Sequence, residues 1–143
     1  MSTITPQTIY LSDYTPPAYR ILTVDLRFEL GEDFTTVHSR LRIVHAGTTA
    51  PGTPLTLDGQ HLELISLALD GTPLAADRYQ VDADRLTLFD PPTEFTLEVI
   101  IRTRPQDNTA LEGLYQSSGN FCTQCEAEGF RRITCFLDRP DVM

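Results

Sequence analysis

The chain has 143 residues, the length of one domain able to bury a single core, and its 41% hydrophobic and 22% charged residues are the composition of a chain that folds. Its 20 acidic residues outweigh 11 basic ones to a net charge of −9, which excludes nucleic acids and anionic membranes as partners, since both reward clustered cations. Every basic residue is arginine, so chemistry that needs a lysine amine, such as Schiff-base formation, is excluded as well. No uninterrupted apolar run exceeds three residues, whereas a membrane-spanning helix needs about 20. The opening Met1-Ser2-Thr3-Ile4-Thr5-Pro6 has neither the basic head nor the apolar stretch of a secretory signal, so a cytoplasmic protein is expected.

Over residues 22–30, Leu22, Val24, Leu26, Phe28 and Leu30 alternate strictly with Thr23, Asp25, Arg27 and Glu29. This period of two predicts a strand with one buried face. A turn at Gly31-Glu32-Asp33 leads into a second alternating run, Val37, Ser39, Leu41 and Ile43 against His38, Arg40 and Arg42, so the pair reads as an antiparallel hairpin. Shorter strands are expected over residues 55–57, 62–69, 79–81 and 86–89, followed by a clear one carrying Phe95, Leu97, Val99 and Ile101. The breaks between them, Asp58-Gly59, Asp70-Gly71, Asp82-Ala83-Asp84 and Pro91-Pro92, are turn chemistry. With no helical period before residue 105, the pattern predicts an all-β fold, an antiparallel β-sandwich or saddle-like sheet. Leu22, Val24, Leu26, Phe28, Leu41, Ile43, Leu97 and Val99 are expected to face one core. Residues 108–120 are polar and lose the alternation, and they are expected to form a long ordered loop held by Leu111, Leu114 and Tyr115. A single helical turn is expected around residues 128–133. No internal repeat or second domain is evident, so residues 1–143 read as one domain.

Most reactive side chains in the chain are not arranged for chemistry. His38, His45 and His61 form no His-x-x-x-His pair and are expected to be solvated surface residues. Cys122, Cys125 and Cys135 are an odd, clustered set that makes a poor disulfide framework, so reduced thiols are expected. Cys122-Thr-Gln-Cys125 has the spacing of a redox pair or half a zinc site, but a structural zinc wants four ligands and Cys135 alone does not complete the set. The three thiols are read as packed in or near a domain junction. No catalytic residue and no metal ligand is assigned.

Residues 108–141 carry more specific information: Leu111-x-Gly113-Leu114-Tyr115, then Thr123-Gln124-x-Glu126-Ala127, then Asp138-x-Pro140. In this order and spacing they resemble the end of the amino-terminal domain in the aminopeptidase N family, the bacterial alanyl aminopeptidases in particular. Leu11-Ser12-Asp13-Tyr14-x-Pro16-Pro17-x-Tyr19 and Asp58-Gly59-x-x-Leu62-Glu63-Leu64-x-Ser66 extend the likeness, with less specific motifs, over nearly the whole chain.

The resemblance implies a saddle-like β-domain that packs on a thermolysin-like zinc domain of the same polypeptide, with a peptide's amino terminus as the substrate group. In that family the Gln and Glu of Thr-Gln-x-Glu help bind the substrate's free α-amine, a role that falls on Gln124 and Glu126. The chemistry suits: an α-ammonium offers three donors and a charge, matched by a carboxylate and a neutral carbonyl acceptor. If the stretch is extended, residues two apart face the same way and converge on one group. Arg131 and Asp138 also match family positions and read as a scaffolding ion pair.

The His-Glu-x-x-His helix, its downstream glutamate and the Gly-x-Met-Glu-Asn strand that family catalysis requires do not occur in these 143 residues. Zinc is therefore expected in the full-length enzyme and not on this segment, which alone is expected to be inactive. Family members continue past Asp141-Val142-Met143 with further strands, so the resemblance implies a truncated domain. The competing reading is a free-standing β-sandwich binding or scaffolding module without catalysis.

Overall fold

A computed structural model describes residues 16–126 and 129–139. The part of the opening motif at residues 11–14, the start of the expected helical turn at Glu128, and Pro140 with the carboxyl end lie outside the described residues.

The longest alternating runs form the longest strands. β1 (Tyr19–Glu29) and β2 (Thr35–His45) make an antiparallel hairpin. β2 then pairs with β8 (Glu94–Thr103), which pairs with β4 (Glu63–Leu69), and β4 with the two-residue β5 (Thr72–Pro73). The result is a five-stranded antiparallel sheet in the order β1-β2-β8-β4-β5. β3 (Leu55–Asp58), β7 (Arg85–Leu88) and β6 (Tyr79–Val81) make a three-stranded sheet in the order β3-β7-β6. No helix among the described residues is long and apolar enough to cross a membrane.

The two sheets share one core. Val37, Leu41 and Ile43 of β2 and Leu97, Val99 and Ile101 of β8 are fully buried with Leu57, Leu86 and Leu88 from the second sheet. Cross-strand pairs Leu41↔Leu97 and Val37↔Ile101 stack these side chains on one face, as antiparallel partners must. The opposite face carries the charges that alternate with them, and Arg40–Glu98 and Arg42–Glu94 pair across it.

The first strand corrects the expected core. The alternation over residues 22–30 conceals a bulge: Ile21 pairs with Ile43 and Thr23 with Arg42, so Leu22 is the extra residue, 48% exposed. Beyond the bulge, Val24 pairs with Leu41 and Phe28 with Val37, on the core face of the sheet. Yet Val24 and Phe28 are 41% and 40% exposed, and Leu26 is only partly buried. β1 is the sheet's edge, and these core-face side chains are left partly open to solvent. The residue that anchors β1 is Tyr19, with Ile21 and Leu26 partly buried against the core; the Tyr19 hydroxyl donates to the Thr53 carbonyl at 2.6 Å, and its ring meets Phe95 edge-on.

This difference sets a stability contrast. Leu41→Ala opens a cavity in the closed part of the core and is expected to cost about 2–5 kcal/mol. Val24→Ala, in the same cross-strand pair but half in water, is expected to cost less than about 1 kcal/mol. Urea unfolding of the two variants checks the contrast, and equal losses would contradict the edge position of β1.

The segment expected as a loop is ordered but not loop throughout. After a 3-10 turn at Pro105–Asp107, β9 (Gly113–Ser117) and β10 (Asn120–Gln124) pair as a separate hairpin. Ser118 and Gly119 have φ of 51° and 81°, the two positive values of a tight two-residue turn. The expected helical turn is present as a 3-10 turn at Phe130–Arg132.

Candidate functional site

Gln124 closes the β9–β10 ladder opposite Gly113, and both Gln124 and Glu126 are exposed. Extended conformation stops at Gln124 and Glu126 lies in a turn, so strand alternation does not carry through to the second residue. A different contact joins them: the Glu126 backbone N–H donates to Gln124 Oε1 at 3.1 Å. Gln124 thus orients the backbone that carries Glu126.

The root of this hairpin is fixed by close backbone packing. A Cβ on Gly129 would lie 2.5 Å from the Gln124 carbonyl oxygen. Gly113 has φ of +74°, and a Cβ there would lie 2.7 Å from Arg132 Cβ. Only glycine fits such approaches without moving the chain. Asn108 ties the same region together, its Nδ2 donating to the Glu112 and Leu114 carbonyls at 2.6 and 2.9 Å. Gly129 N–H donates to the Cys125 carbonyl at 2.9 Å and closes the turn that bears Glu126.

Downstream, residues 129–139 are clamped to β3. Asp58 and Phe136 exchange backbone hydrogen bonds at 2.8 and 3.0 Å, and Phe130 and Phe136 stack edge-on at 4.9 Å. Arg131 donates to Asp138 Oδ2 through both its backbone N–H and Nε, at 3.1 and 3.0 Å, and through Nη2 to the Asp138 carbonyl at 2.9 Å. The Asp138 N–H in turn donates to Asp58 Oδ2 at 3.3 Å. This is the scaffolding pair expected for Arg131 and Asp138. It sets the far end of the segment that begins at Glu126.

All three cysteines are free. Cys135 is buried, and burial with the nearby Asp58 carboxylate pushes its thiol up to about 12. Cys125 is exposed, yet desolvation and then Asp138 raise its thiol as well. Raised thiols resist forming the thiolate on which redox exchange depends. For Cys135 the folded value exceeds the ordinary value of 9.0, so its contribution to stability is full below that value and is lost as pH climbs toward about 12. Iodoacetamide at neutral pH is expected to leave Cys135 unmodified in the folded chain, and unfolding to expose it. Mass mapping of the alkylated sites checks this, and rapid native labelling of Cys135 would contradict it.

The histidines are spread over three places in the chain. His61 is exposed, as expected, but His38 and His45 are half-buried. His45 bonds Thr49 Oγ1 at 3.0 Å and meets the Tyr19 ring edge-on. Among the described residues no three His, Cys, Asp or Glu side chains gather as metal ligands.

No family model matches the chain. Its fold is shared with M1-type metallopeptidases. It superposes on the crystal structure of Legionella pneumophila aminopeptidase A in complex with aspartic acid with a TM-score of 0.83 and 33% identity, covering 92% of this chain and 16% of that one. An M1 zinc metallopeptidase of Deinococcus radiodurans gives a TM-score of 0.71 over 87% of this chain and 30% of its own, and at 17% identity that likeness concerns fold alone. In sequence the chain is 49% identical to aminopeptidase N of Caulobacter vibrioides over all 143 residues. It is 44% identical to aminopeptidase N of Escherichia coli over 138 residues. The chain is therefore related along its whole length to the amino-terminal region of bacterial aminopeptidase N. It spans 16% and 15% of the length of these two relatives.

Proposed function

We propose that residues 1–143 are the amino-terminal β-domain of a zinc-dependent aminopeptidase that releases amino-terminal residues from peptides, and that Gln124 and Glu126 anchor the substrate's α-ammonium. The observation that carries this reading is the 49% identity to aminopeptidase N over every residue of the chain. The presentation of the motif supports the finer role. Glu126 is exposed at the end of a hairpin whose root is fixed by Gly113, Gly129 and Asn108, so a charged acceptor is held on a rigid support. Positioned charge of this kind is what recognition of an ammonium needs.

In this reading the catalytic zinc domain lies elsewhere in the same polypeptide and is the partner on which the β-domain packs. The zinc, when bound there, polarises the scissile carbonyl and activates water. Residues of the present chain act on the other end of the substrate residue, holding its amine. Neither nucleic acid nor a membrane is a partner. Three unpaired cysteines suit a reducing compartment, in keeping with a cytoplasmic enzyme.

The test is to purify the full-length polypeptide and the 143-residue chain side by side. The full-length protein is expected to hold stoichiometric zinc and to hydrolyse aminoacyl-arylamides; the shorter chain is expected to do neither. Turnover by the shorter chain that survives removal of contaminating peptidases would contradict the assignment, as would a zinc-free, inactive full-length protein.

A further inference from the structure

A second site stands apart from Gln124 and Glu126, at one end of the five-stranded sheet. A cavity of about 410 Å3 lies between Phe34, in the β1–β2 connection, Arg102 and Thr103 at the end of β8 with Arg104 just after it, and Asn108 and Arg132. That volume is within the range of small-molecule sites. Three of the chain's 11 arginines, Arg102, Arg104 and Arg132, line it, together with the carboxylates Glu63 and Asp107 and the imidazole of His61. In a chain of net charge −9 this is a local reversal of sign.

The partners of these arginines matter more than their number. Arg104 is neutralised, its Nε 2.7 Å from Asp107 Oδ2. Arg102 and Arg132 have no ion-pair partner among the described residues. Glu63 stands opposite Arg102 in the β4–β8 register but makes no ion pair with it.

Neutral groups hold both cations instead. The Arg102 guanidinium lies over the Phe34 ring, 4.1 Å from its centroid, a contact that supports the charge without using its N–H donors. Arg132 Nη2 donates to Asn108 Oδ1 at 3.2 Å, and its Cβ packs on Gly113. The Nε of each arginine is sealed from solvent without an acceptor. Two guanidinium groups fixed by neutral partners around one cavity, whose lining carries three arginines against two carboxylates, leave a net positive site that suits an anionic ligand.

We propose that this cavity binds a small oxyanion, a phosphate or a carboxylate, between Arg102 and Arg132. Guanidinium forks match both geometries. The site is independent of the α-ammonium role of Glu126, since its ligand has the opposite charge and neither Gln124 nor Glu126 lines the cavity.

The test is isothermal titration of the 143-residue chain with inorganic phosphate and, separately, succinate, at fixed ionic strength. At least one anion is expected to bind saturably with one-to-one stoichiometry, and comparing the two distinguishes phosphate from carboxylate recognition. Arg102→Gln and Arg132→Gln should each weaken binding about tenfold, the effect of losing one hydrogen bond to a charged group. Arg27→Gln, on an exposed side chain away from the cavity, should leave it unchanged. Thermal unfolding supplies a second readout. Phosphate stabilises folded proteins generally by exclusion from their surface, so the predicted signal is the part of the stabilisation that wild type and Arg27→Gln show and both cavity variants lack. Absence of saturable binding of either anion, or equal weakening by Arg27→Gln, would overturn the proposal.

Discussion

Glu126→Gln in the full-length polypeptide is expected to lower kcat/KM on peptides with a free amino terminus by roughly 30-fold or more. The substitution keeps the side chain's shape and removes its charge, so a bound ammonium loses a counter-ion. Removing one partner from a buried, hydrogen-bonded charge pair costs about 2–5 kcal/mol at an interface, at about 1.4 kcal/mol per tenfold in rate. Gln124→Ala should cost about 1.5–3 kcal/mol, the value of one hydrogen bond to a charged group. Because Gln124 Oε1 accepts the Glu126 backbone N–H, part of that loss should come from a displaced Glu126. Gln124→Glu, which retains the acceptor, should then recover more activity than Gln124→Ala. Steady-state kinetics on an aminoacyl-arylamide check the series, and a wild-type kcat/KM for Glu126→Gln would remove the residue from the site.

Asp138→Ala is expected to have the largest effect on stability outside the apolar core. Asp138 accepts from the Arg131 backbone N–H and Nε through one carboxylate oxygen and from Nη2 through its carbonyl. The side chains are 17% and 12% exposed, so the pair is neither dry nor freely solvated. Breaking a fully buried pair costs about 3–5 kcal/mol; with residual solvent screening about 2–4 kcal/mol is expected here. Asp138→Asn keeps an oxygen acceptor and should lose about half as much. Urea unfolding midpoints check both values. Because residues 129–139 clamp to β3 through the Asp58–Phe136 bridge, protease cleavage near residue 130 should accelerate in step with the loss of stability. An unchanged midpoint in Asp138→Ala would show that the apolar contacts of Phe130, Ile133 and Leu137 hold the segment unaided.

The sequence was most legible where apolar alternation coincided with closed packing. Val37, Leu41 and Ile43 of β2 and Phe95, Leu97 and Val99 of β8 alternate and are fully buried. Val24 and Phe28 alternate as well and remain exposed, because alternation reports which side of a strand is apolar and not whether anything lies over it. The Leu22 bulge was hidden because the residues after it resume the same period. The β9–β10 hairpin was missed since it pairs with neither sheet and sends only Leu114 into the core, so it needs no long apolar face. Its signal was Ser118-Gly119 between Tyr115 and Phe121, a two-residue turn between short aromatic-bearing runs.

The two proposed sites differ in the same way. Gln124 and Glu126 are legible because they are two residues apart in a recognisable motif, although the turn that holds them is set by Gly129 and Gly113. The oxyanion cavity joins Phe34, Arg102 and Arg132 from three distant parts of the chain. Nothing local marks any one of them as a binding residue. What distinguishes them is the neutral character of their partners, a property of the folded chain.

The measurement that tests the central claim most directly is a crystal structure of the full-length polypeptide with an amino acid or dipeptide bound. The account predicts the ligand's α-ammonium within about 3 Å of both the Glu126 carboxylate and the Gln124 side-chain oxygen. An ammonium held by other residues, with Glu126 turned to solvent, would contradict it.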